Sequence, residues 1–336
     1  MPAKSDPEGG PVLRQIAYLR VPFLYTLFSD SRSAFLANFY NDLHMLPCAY
    51  LIVYAVCFGE FVEFFYFYER KLIMPEASME FTLEQMREHL AALEARITEA
   101  CKIAGRSRDS VKLVWVSKFH PAEAVENAIA LGATDFGENR VQEAELKFST
   151  PRTALDGNRV RCHVSGPVQS NKLKKAAIVA DCIHSIASVE AVEKLEKVCA
   201  ALPGESGAGK ILDILFQINA GEEETKSGLD VHDAESFLAD LESRGASAYP
   251  HLRFRGLMTI GKNTGVAEDS RECFAFLRNL QQKFLTKGGV FAHFDQLSMG
   301  MTGDLEVAIE EGSTMIRVGT ALFGERDYSK PVNDPV

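Results

Sequence analysis

The chain has 336 residues, with 46 acidic against 36 basic side chains and a net charge of −10. That length allows one large domain or two ordinary ones. An acidic chain is a poor partner for nucleic acid, because neutralising phosphates requires clustered Lys and Arg. The seven cysteines are scattered without a CxxC pair. Such usage is typical of buried thiols in a reducing compartment, so we expect a cytoplasmic protein without a metal site.

The first 73 residues differ in composition from the remainder. They contain 16 of the 32 aromatic residues of the chain, which has 22 Phe, 9 Tyr and 1 Trp. Residues 46–58 are apolar, but Glu60 and Glu63 interrupt the run before it reaches the roughly 20 residues that a membrane span needs. Membrane insertion is therefore disfavoured, although a marginal anchor stays open.

Two other interpretations of this segment remain. It could be a targeting extension, for example to mitochondria, or translated sequence upstream of a true start at Met74 or Met79. We therefore treat residues 1–78 as an N-terminal extension of uncertain structure, which could be disordered, and expect one folded domain over residues 79–336.

The folded part is predicted to begin with a helix. Residues 82–85 (TLEQ) form a capping box, in which the Thr hydroxyl and the Gln side chain satisfy orphan N–H groups reciprocally. Apolar residues then recur at helical spacing as far as Ile97, and Gly105 is expected to end the helix.

Eight short apolar segments alternate with amphipathic helices after Gly105. This alternation predicts a single (β/α)8 barrel with one extra N-terminal helix. A doubly wound open sheet is the alternative, but no GxGxxG follows the first strand. The predicted strands are 111–117, 134–136, 160–165, 182–186, 211–218, 254–258, 294–298 and 315–318.

Active sites of such barrels form at the C-terminal ends of the strands. The first strand ends in Ser117-Lys118. An amine at that place is partly desolvated, which lowers its pKa and lets it attack an aldehyde. The alternative is a lysine whose head simply reaches solvent, and Lys118 alone does not decide between them.

The loops after strands seven and eight are where this fold typically binds phosphate. Here they read Ser298-Met-Gly-Met-Thr-Gly-Asp304 and Gly319-Thr320. Ser298 and Thr320 offer hydroxyls, while Gly300 and Gly319 let backbone N–H groups approach an anion. Two ordinary glycine-rich turns are the alternative, but both expected loops match together, which favours a phosphate site.

Five blocks of sequence between Leu113 and Tyr328 resemble the pyridoxal phosphate homeostasis (YggS/PROSC) proteins. That family is a barrel similar to the N-terminal domain of alanine racemase, and it binds pyridoxal 5′-phosphate (PLP). The blocks are WVSKFHPAEAVENAIALGATDFGENRVQEAELK, HVSGPVQSNKLK, FQINAGEEETKSGL, RGLM and LSMGMTGDLEVAIEEGSTMIRVGTALFGERDY.

The resemblance implies a role for each matching residue. Lys118 would hold PLP as a Schiff base, and Arg317 would meet the pyridine nitrogen. Ser298, Gly319 and Thr320 would bind the phosphate. A guanidinium only donates hydrogen bonds, so it would keep the ring nitrogen unprotonated and weaken the ring as an electron sink. The alternative for Arg317 is a barrel-wall arginine paired with a carboxylate.

Three further residues match the family with less defined roles. Asn139 and His163 would line the pocket, although an Asn that caps the next helix and a satisfied core His are comparable alternatives. Lys226 would be a second amine, but a solvated loop lysine is the favoured interpretation.

Two function classes remain: a PLP carrier, and a PLP-dependent amino-acid racemase. Two-base racemisation needs a second acid or base, which alanine racemases take from a tyrosine of a second domain. Only 17 residues follow Gly319, and the tyrosines after residue 73 are Tyr249 and Tyr328. We therefore expect a carrier that is not an enzyme. Apo PLP-dependent enzymes are the expected protein partners, and the carrier itself is expected to be a monomer or a weak dimer.

Overall fold

The computed structural model describes residues 82–204, 209–223 and 227–324. The N-terminal extension, Lys226 and Tyr328 lie outside these residues, so the interpretations placed on them stay predictions.

The first described element is the expected capped helix, α1 (Leu83–Ile103). The Gln85 amide donates to Thr82 Oγ1 over 3.2 Å, and the Thr82 amide donates to Gln85 Oε1 over 2.9 Å. Gly105 follows at φ +65°, a left-handed conformation that favours glycine at a helix end. The capping box and the helix are both confirmed.

The eight strands form one closed parallel barrel in the order β1 to β8, with β8 pairing back onto β1. The predicted (β/α)8 barrel is confirmed. Most strand residues are buried, because the helices cover the outer face of the barrel while side chains fill its interior. The strands are β1 (Lys112–Val116), β2 (Asp135–Glu138), β3 (Arg161–Val164), β4 (Cys182–Ile186), β5 (Leu212–Gln217), β6 (Leu252–Met258), β7 (Gln296–Ser298) and β8 (Met315–Val318).

A helix follows each strand. The apolar faces of these helices pack against the barrel in one large core. Within the described ranges they are α2 (Ala122–Ala130), α3 (Val141–Phe148), α4 (Leu173–Val179), α5 (Val189–Ala201), α6 (Val231–Arg244), α7 (Arg271–Leu285), α8 (Leu305–Glu310) and α9 (Thr320–Phe323).

Helix α1 supports the loop that follows β7. The Arg96 guanidinium donates to Glu306 Oε1 on α8 over 2.6 Å and to the Thr302 carbonyl over 2.8 Å. Arg106 donates to the Ile309 carbonyl at the C-terminal part of α8 over 2.8 Å. The extra helix therefore fixes α8 and the preceding loop from outside the barrel.

Ion pairs close the N-terminal end of the barrel. Lys112 Nζ lies 2.9 Å from Asp135 Oδ1 between β1 and β2. Asp213 on β5 accepts from Arg161 on β3 over 2.9 Å and from Arg253 on β6 over 2.6 Å. Both carboxylates are at least 95% buried, so each depends on its cationic partners for compensation. This end of the molecule is therefore filled and charged, and it leaves the opposite end for a ligand.

Of the helices within the described ranges, none combines the length and the apolar character needed to cross a membrane.

We predict that the chain folds without residues 1–78. A protein that starts at residue 79 retains the capping box and all eight βα units, so its midpoint of thermal unfolding should match that of the full chain. Calorimetry of the two proteins tests this.

A Thr82→Ala substitution in the shortened protein serves as a sensitivity control. It removes the cap, which should lower the free energy of unfolding by about 1 kcal/mol and the midpoint of thermal unfolding by roughly 2–4 °C. Aggregation of the shortened protein, or a larger fall than this control gives, would show that the extension is part of the fold.

Candidate cofactor site

A cavity of about 600 Å³ opens at the C-terminal ends of the strands. Five of the seven residues predicted to bind the cofactor line it: Lys118, Asn139, Arg317, Gly319 and Thr320. They come from the ends of β1, β2 and β8, which are neighbours because the barrel closes. The structure therefore brings together groups that are about 200 positions apart in the sequence.

Lys118 lies in a tight turn directly after β1. The next residue, Phe119, has φ +66°, a conformation that costs free energy for a residue with a side chain. The Phe119 amide donates to Glu143 Oε2 over 2.8 Å, and the Ser117 hydroxyl donates to Glu138 Oε1 over 2.6 Å. Both bonds hold the residues on either side of Lys118, so they fix where its side chain leaves the backbone.

The same two carboxylates surround a buried cation. Lys147 Nζ lies 2.8 Å from Glu138 Oε1, 3.6 Å from Glu143 Oε2 and 2.7 Å from the Ser117 carbonyl. Its side chain is 4% exposed and that of Glu138 is fully buried. Burial raises the pKa of Glu138 to about 6, although the charge of Lys147 opposes the shift. This cluster of Lys147, Glu138 and Glu143 supports the Lys118 turn from below.

Hydroxyl and backbone donors line the same cavity from the segments that follow β7 and β8. Thr320 opens α9, and Thr302 and Gly303 line the cavity from the loop after β7. Gly319 packs against β1: a Cβ there would lie 3.0 Å from the Val116 carbonyl oxygen. Glycine at position 319 therefore suits the close approach of β8 to β1. Gly300, expected to approach an anion, instead has φ +95° and packs against Ala308, away from the cavity lining.

Arg317 on β8 has its guanidinium fixed by two hydrogen bonds. Nη1 donates to Ser298 Oγ over 2.7 Å, and Nη2 donates to the Thr259 carbonyl over 2.9 Å. The residue is 6% exposed and burial lowers its pKa to about 10, so it remains a cation at neutral pH. Two of its five N–H groups are used in these bonds, which leaves donors for a ligand in the cavity. The alternative from the sequence was a barrel-wall arginine paired with a carboxylate. Among the described residues, no carboxylate forms an ion pair with Arg317.

Ser298 and His163 lie below the cavity instead of in its lining. Ser298 is fully buried, with its hydroxyl between Arg317 and the His184 ring, 3.0 Å from His184 Nδ1. His163 is 1% exposed and contacts His184 and Asp135. The position of Ser298 disagrees with the predicted phosphate role, because its Oγ already contacts two protein groups. His163 matches the alternative of a satisfied core histidine.

Sequence reasoning missed Thr302 and His184. Thr302 stands inside the predicted phosphate loop, so its hydroxyl was a visible candidate. His184 gave a weaker signal: it is a single polar residue between apolar neighbours on β4, which fits a residue that faces the barrel interior.

His163, Cys182 and His184 place three possible metal-ligand atoms within 4.8 Å of one another. Two observations favour hydrogen bonding over a metal. Both imidazoles use both ring nitrogens in hydrogen bonds. Burial also raises the pKa of the Cys182 thiol, which disfavours the thiolate that a metal needs.

Comparison with known proteins identifies the family. Residues 89–327 match the family model of the alanine racemase N-terminal domain. The pyridoxal phosphate homeostasis protein of Vibrio alginolyticus is 40% identical over 249 residues, which cover 74% of this chain and 99% of that protein. That of Escherichia coli is 37% identical over 251 residues, covering 74% and 100%. The chain belongs to the pyridoxal phosphate homeostasis protein family.

Solved structures agree with this family assignment. A protein of unknown function from Bifidobacterium adolescentis is 31% identical with a TM-score of 0.63, over 72% of this chain and 95% of that one. PipY of Synechococcus elongatus, solved with PLP bound, is 34% identical with a TM-score of 0.55, over 71% of this chain and all of PipY. An alanine racemase of Clostridium difficile, 14% identical with a TM-score of 0.51, shares the fold.

We predict that Lys147→Met destabilises this family member by about 3–5 kcal/mol at pH 8, because it leaves Glu138 and Glu143 buried without their cation. The raised pKa of Glu138 sets the sign of the pH dependence. A carboxyl group whose pKa is raised by folding stabilises the fold at a pH below its pKa in the unfolded chain. That contribution is lost as the pH rises through its folded pKa, about 6 for Glu138. Lys147→Met removes the charge that opposes this upward pKa shift, so the Glu138 pKa is higher in the variant and the destabilisation should shrink between pH 8 and pH 5, as measured by urea unfolding.

Two variants serve as controls for that measurement. Adding Glu138→Gln to Lys147→Met should recover part of the loss at pH 8. Lys175→Met breaks an exposed ion pair with Glu145, so it should lower the free energy of unfolding by less than about 1 kcal/mol at either pH. A pH-independent loss in Lys147→Met would refute the electrostatic account of the cluster.

Proposed function

We propose that this protein binds PLP and carries or buffers it, with the cofactor attached to Lys118. One observation carries the proposal: the Lys118 amine and the Arg317 guanidinium line a single cavity with the hydroxyls of Thr302 and Thr320. PLP offers an aldehyde, a pyridine nitrogen and a phosphate, and this donor set has a group for each. PipY, a relative in the same family, has been solved with PLP bound.

Each residue has a distinct role in this proposal. The Lys118 amine condenses with the aldehyde and one water molecule is released. Arg317 donates to the ring nitrogen, while Gly319, Thr320 and Thr302 bind the phosphate through backbone N–H and hydroxyl groups. Asn139, whose Oδ1 accepts from the Ser165 hydroxyl over 3.2 Å, lines the cavity next to the Lys118 turn.

The charges around the cavity favour an anionic ligand. Among the described residues that line it, Asp304 is the single carboxylate, against the cations Lys118, Lys262 and Arg317. Burial raises the pKa of Asp304. Electrostatic attraction therefore adds to the specific donors for a doubly charged phosphate group.

A carrier role agrees better with this cavity than racemisation does. An arginine at the ring nitrogen disfavours its protonation, and an unprotonated ring is a weak sink for the electrons of a carbanion. The described lining contains no tyrosine, and Tyr249 is buried against Phe254 in the core. We therefore infer a carrier and not an enzyme. It keeps a reactive aldehyde bound instead of transforming substrates.

Apo PLP-dependent enzymes are the proposed recipients, and the proposed location is the cytoplasm. Phe119, Val266 and Met301 are large apolar side chains, 38–55% exposed, on the turn and loops around the cavity. An apolar rim at the exit suits contact with another protein. Free thiols at the described cysteines agree with a reducing compartment. We expect the carrier itself to be a monomer or a weak dimer.

Borohydride reduction of the PLP-loaded protein should bleach its near-visible band and leave a pyridoxyl group on Lys118. Peptide mapping by mass spectrometry identifies the modified residue. Lys118→Ala should lose the band yet keep some PLP through the phosphate and ring-nitrogen contacts. Lys262→Met is a matched control, because Lys262 lines the same cavity, and it should keep the band. An adduct on Lys226 or Lys262 instead of Lys118 would overturn the attachment.

Arg317→Glu tests the carrier against the racemase. The substitution should weaken PLP binding by about 1.5–3 kcal/mol, the contribution of one hydrogen bond to a charged group. A carboxylate there favours a protonated ring nitrogen, so slow exchange of the α-proton of an added amino acid with deuterium should become measurable by NMR. The wild type should show no turnover on common amino acids. Robust wild-type racemisation that Arg317→Glu abolishes would establish the racemase.

A further inference from the structure

A continuous chain of hydrogen bonds runs through the barrel interior from Arg317 to Asp135. Ser298 Oγ lies 2.7 Å from Arg317 Nη1 and 3.0 Å from His184 Nδ1. His184 Nε2 lies 2.9 Å from His163 Nδ1, and His163 Nε2 lies 2.9 Å from Asp135 Oδ1. The three intervening side chains are at most 1% exposed. The chain therefore connects the cofactor cavity to the opposite, N-terminal end of the barrel.

The chemistry of the two end groups fixes the direction of these bonds. The Asp135 carboxylate accepts only, so His163 Nε2 must carry a proton and donate to it. Burial lowers the pKa of His163, against the effect of Asp135, and that of His184, which favours the neutral form of both rings. A neutral His163 then accepts at Nδ1, which requires His184 to donate from Nε2.

Arg317 imposes the same direction from the other end. A guanidinium only donates, so Ser298 Oγ accepts from it. The Ser298 hydroxyl then donates its own proton to Nδ1 of His184, which carries no proton because the neutral ring is protonated at Nε2. Every bond therefore points from the cation to the anion, and every polar atom along the chain is used. Hydrogen bonds aligned in this way polarise one another.

Asp304, which lines the same cavity, is the carboxylate whose charge raises the pKa of Arg317 against the effect of burial. A buried cation needs an anion, yet in the described part of the chain no carboxylate forms an ion pair with Arg317. A carboxylate directly at the guanidinium would also stand near the ring nitrogen and favour its protonation. Asp135 lies at the far end of the barrel, where it is paired with Lys112 and accepts from Thr134.

We propose that Asp135, His163, His184 and Ser298 form a relay of positioning residues that orients Arg317 toward the cofactor. This proposal rests on the proposed function only where it concerns PLP. The relay itself is a property of the protein, and it accounts for the two predicted site residues that lie below the cavity.

The first test is NMR of the protein without added cofactor. Long-range proton–nitrogen correlation spectra of ¹⁵N-histidine-labelled protein distinguish the tautomers of neutral histidine. We expect His163 and His184 both as Nε2–H tautomers, with slowly exchanging ring protons, at pH 7. A charged His163, or an Nδ1–H tautomer of His184, would overturn the relay even if PLP binds as proposed.

The second test compares Asp135→Asn with Asp213→Asn. Both substitutions remove a buried anion at the same end of the barrel, so the long-range attraction of the anionic cofactor changes similarly in both. Asp213 pairs with Arg161 and Arg253 and stands outside the relay. The dissociation constant for PLP should be about fivefold higher in Asp135→Asn than in Asp213→Asn, the equivalent of one ordinary hydrogen bond. Equal dissociation constants would refute the relay.

A second pair of variants avoids charge changes in case either aspartate variant fails to fold. Ser298→Ala cuts the relay beside Arg317. Ser313→Ala removes an equally buried hydroxyl that bonds only to backbone carbonyls. Ser298→Ala should raise the PLP dissociation constant about fivefold, shift the His184 ring nitrogen signals and alter the near-visible PLP band, whereas Ser313→Ala should do none of these. If Ser298→Ala leaves the His184 signals unchanged, the relay does not exist. If no variant and no wild type binds PLP while the tautomers are as expected, the proposed function fails and the relay remains.

Discussion

The parallel pairing of β8 with β1 is the contact on which the site depends. It closes the barrel, and its register sets Trp115 beside Val318 at the strand ends. Lys118 follows the first of these strands by two residues, and Gly319 and Thr320 follow the second. Gly319 lets the backbones meet closely, since a Cβ there would crowd the Val116 carbonyl. An amine near the start of the domain and the turn proposed to bind phosphate near its end are thereby placed at one cavity.

Polar groups around this seam are arranged in two buried systems with different tasks. The cluster of Lys147, Glu138 and Glu143 holds the turn of Lys118. The relay from Arg317 to Asp135 holds the guanidinium. Both place charges inside a barrel, where an unpaired charge is expensive. The backbone turn of Lys118 and the guanidinium of Arg317 are thus fixed by the protein before any ligand arrives, which reduces the ordering cost of binding.

The fold could be predicted from the sequence because its signals are local. Eight apolar segments, the capping box at Thr82 and the two glycine-containing loops each reflect neighbouring residues, and the barrel follows from their alternation. Helix α9 was missed because it is a single turn of four residues. For the site, strand-end position placed Lys118 and Gly319 correctly at the cavity. The same reasoning could not separate Ser298 from Thr302, because which residue of a loop faces the ligand depends on the path of the backbone. The pairing of His163 with His184 joins residues on adjacent strands, and no spacing in the sequence encodes such a contact.

The ion pairs at the N-terminal end of the barrel also bear on how fast a ligand can exchange. Within the described residues that end is closed by Lys112 with Asp135 and by Asp213 with two arginines. Exchange through that end would require these pairs to break, whereas the rim that carries Phe119, Val266 and Met301 lies at the end where the cavity opens. Retention time is then governed by a few loop side chains, while the barrel determines affinity through fixed donors. If the proposed recipient enzymes dock on this rim, they would slow the escape of the cofactor to water and receive it directly, so release and delivery would be the same event.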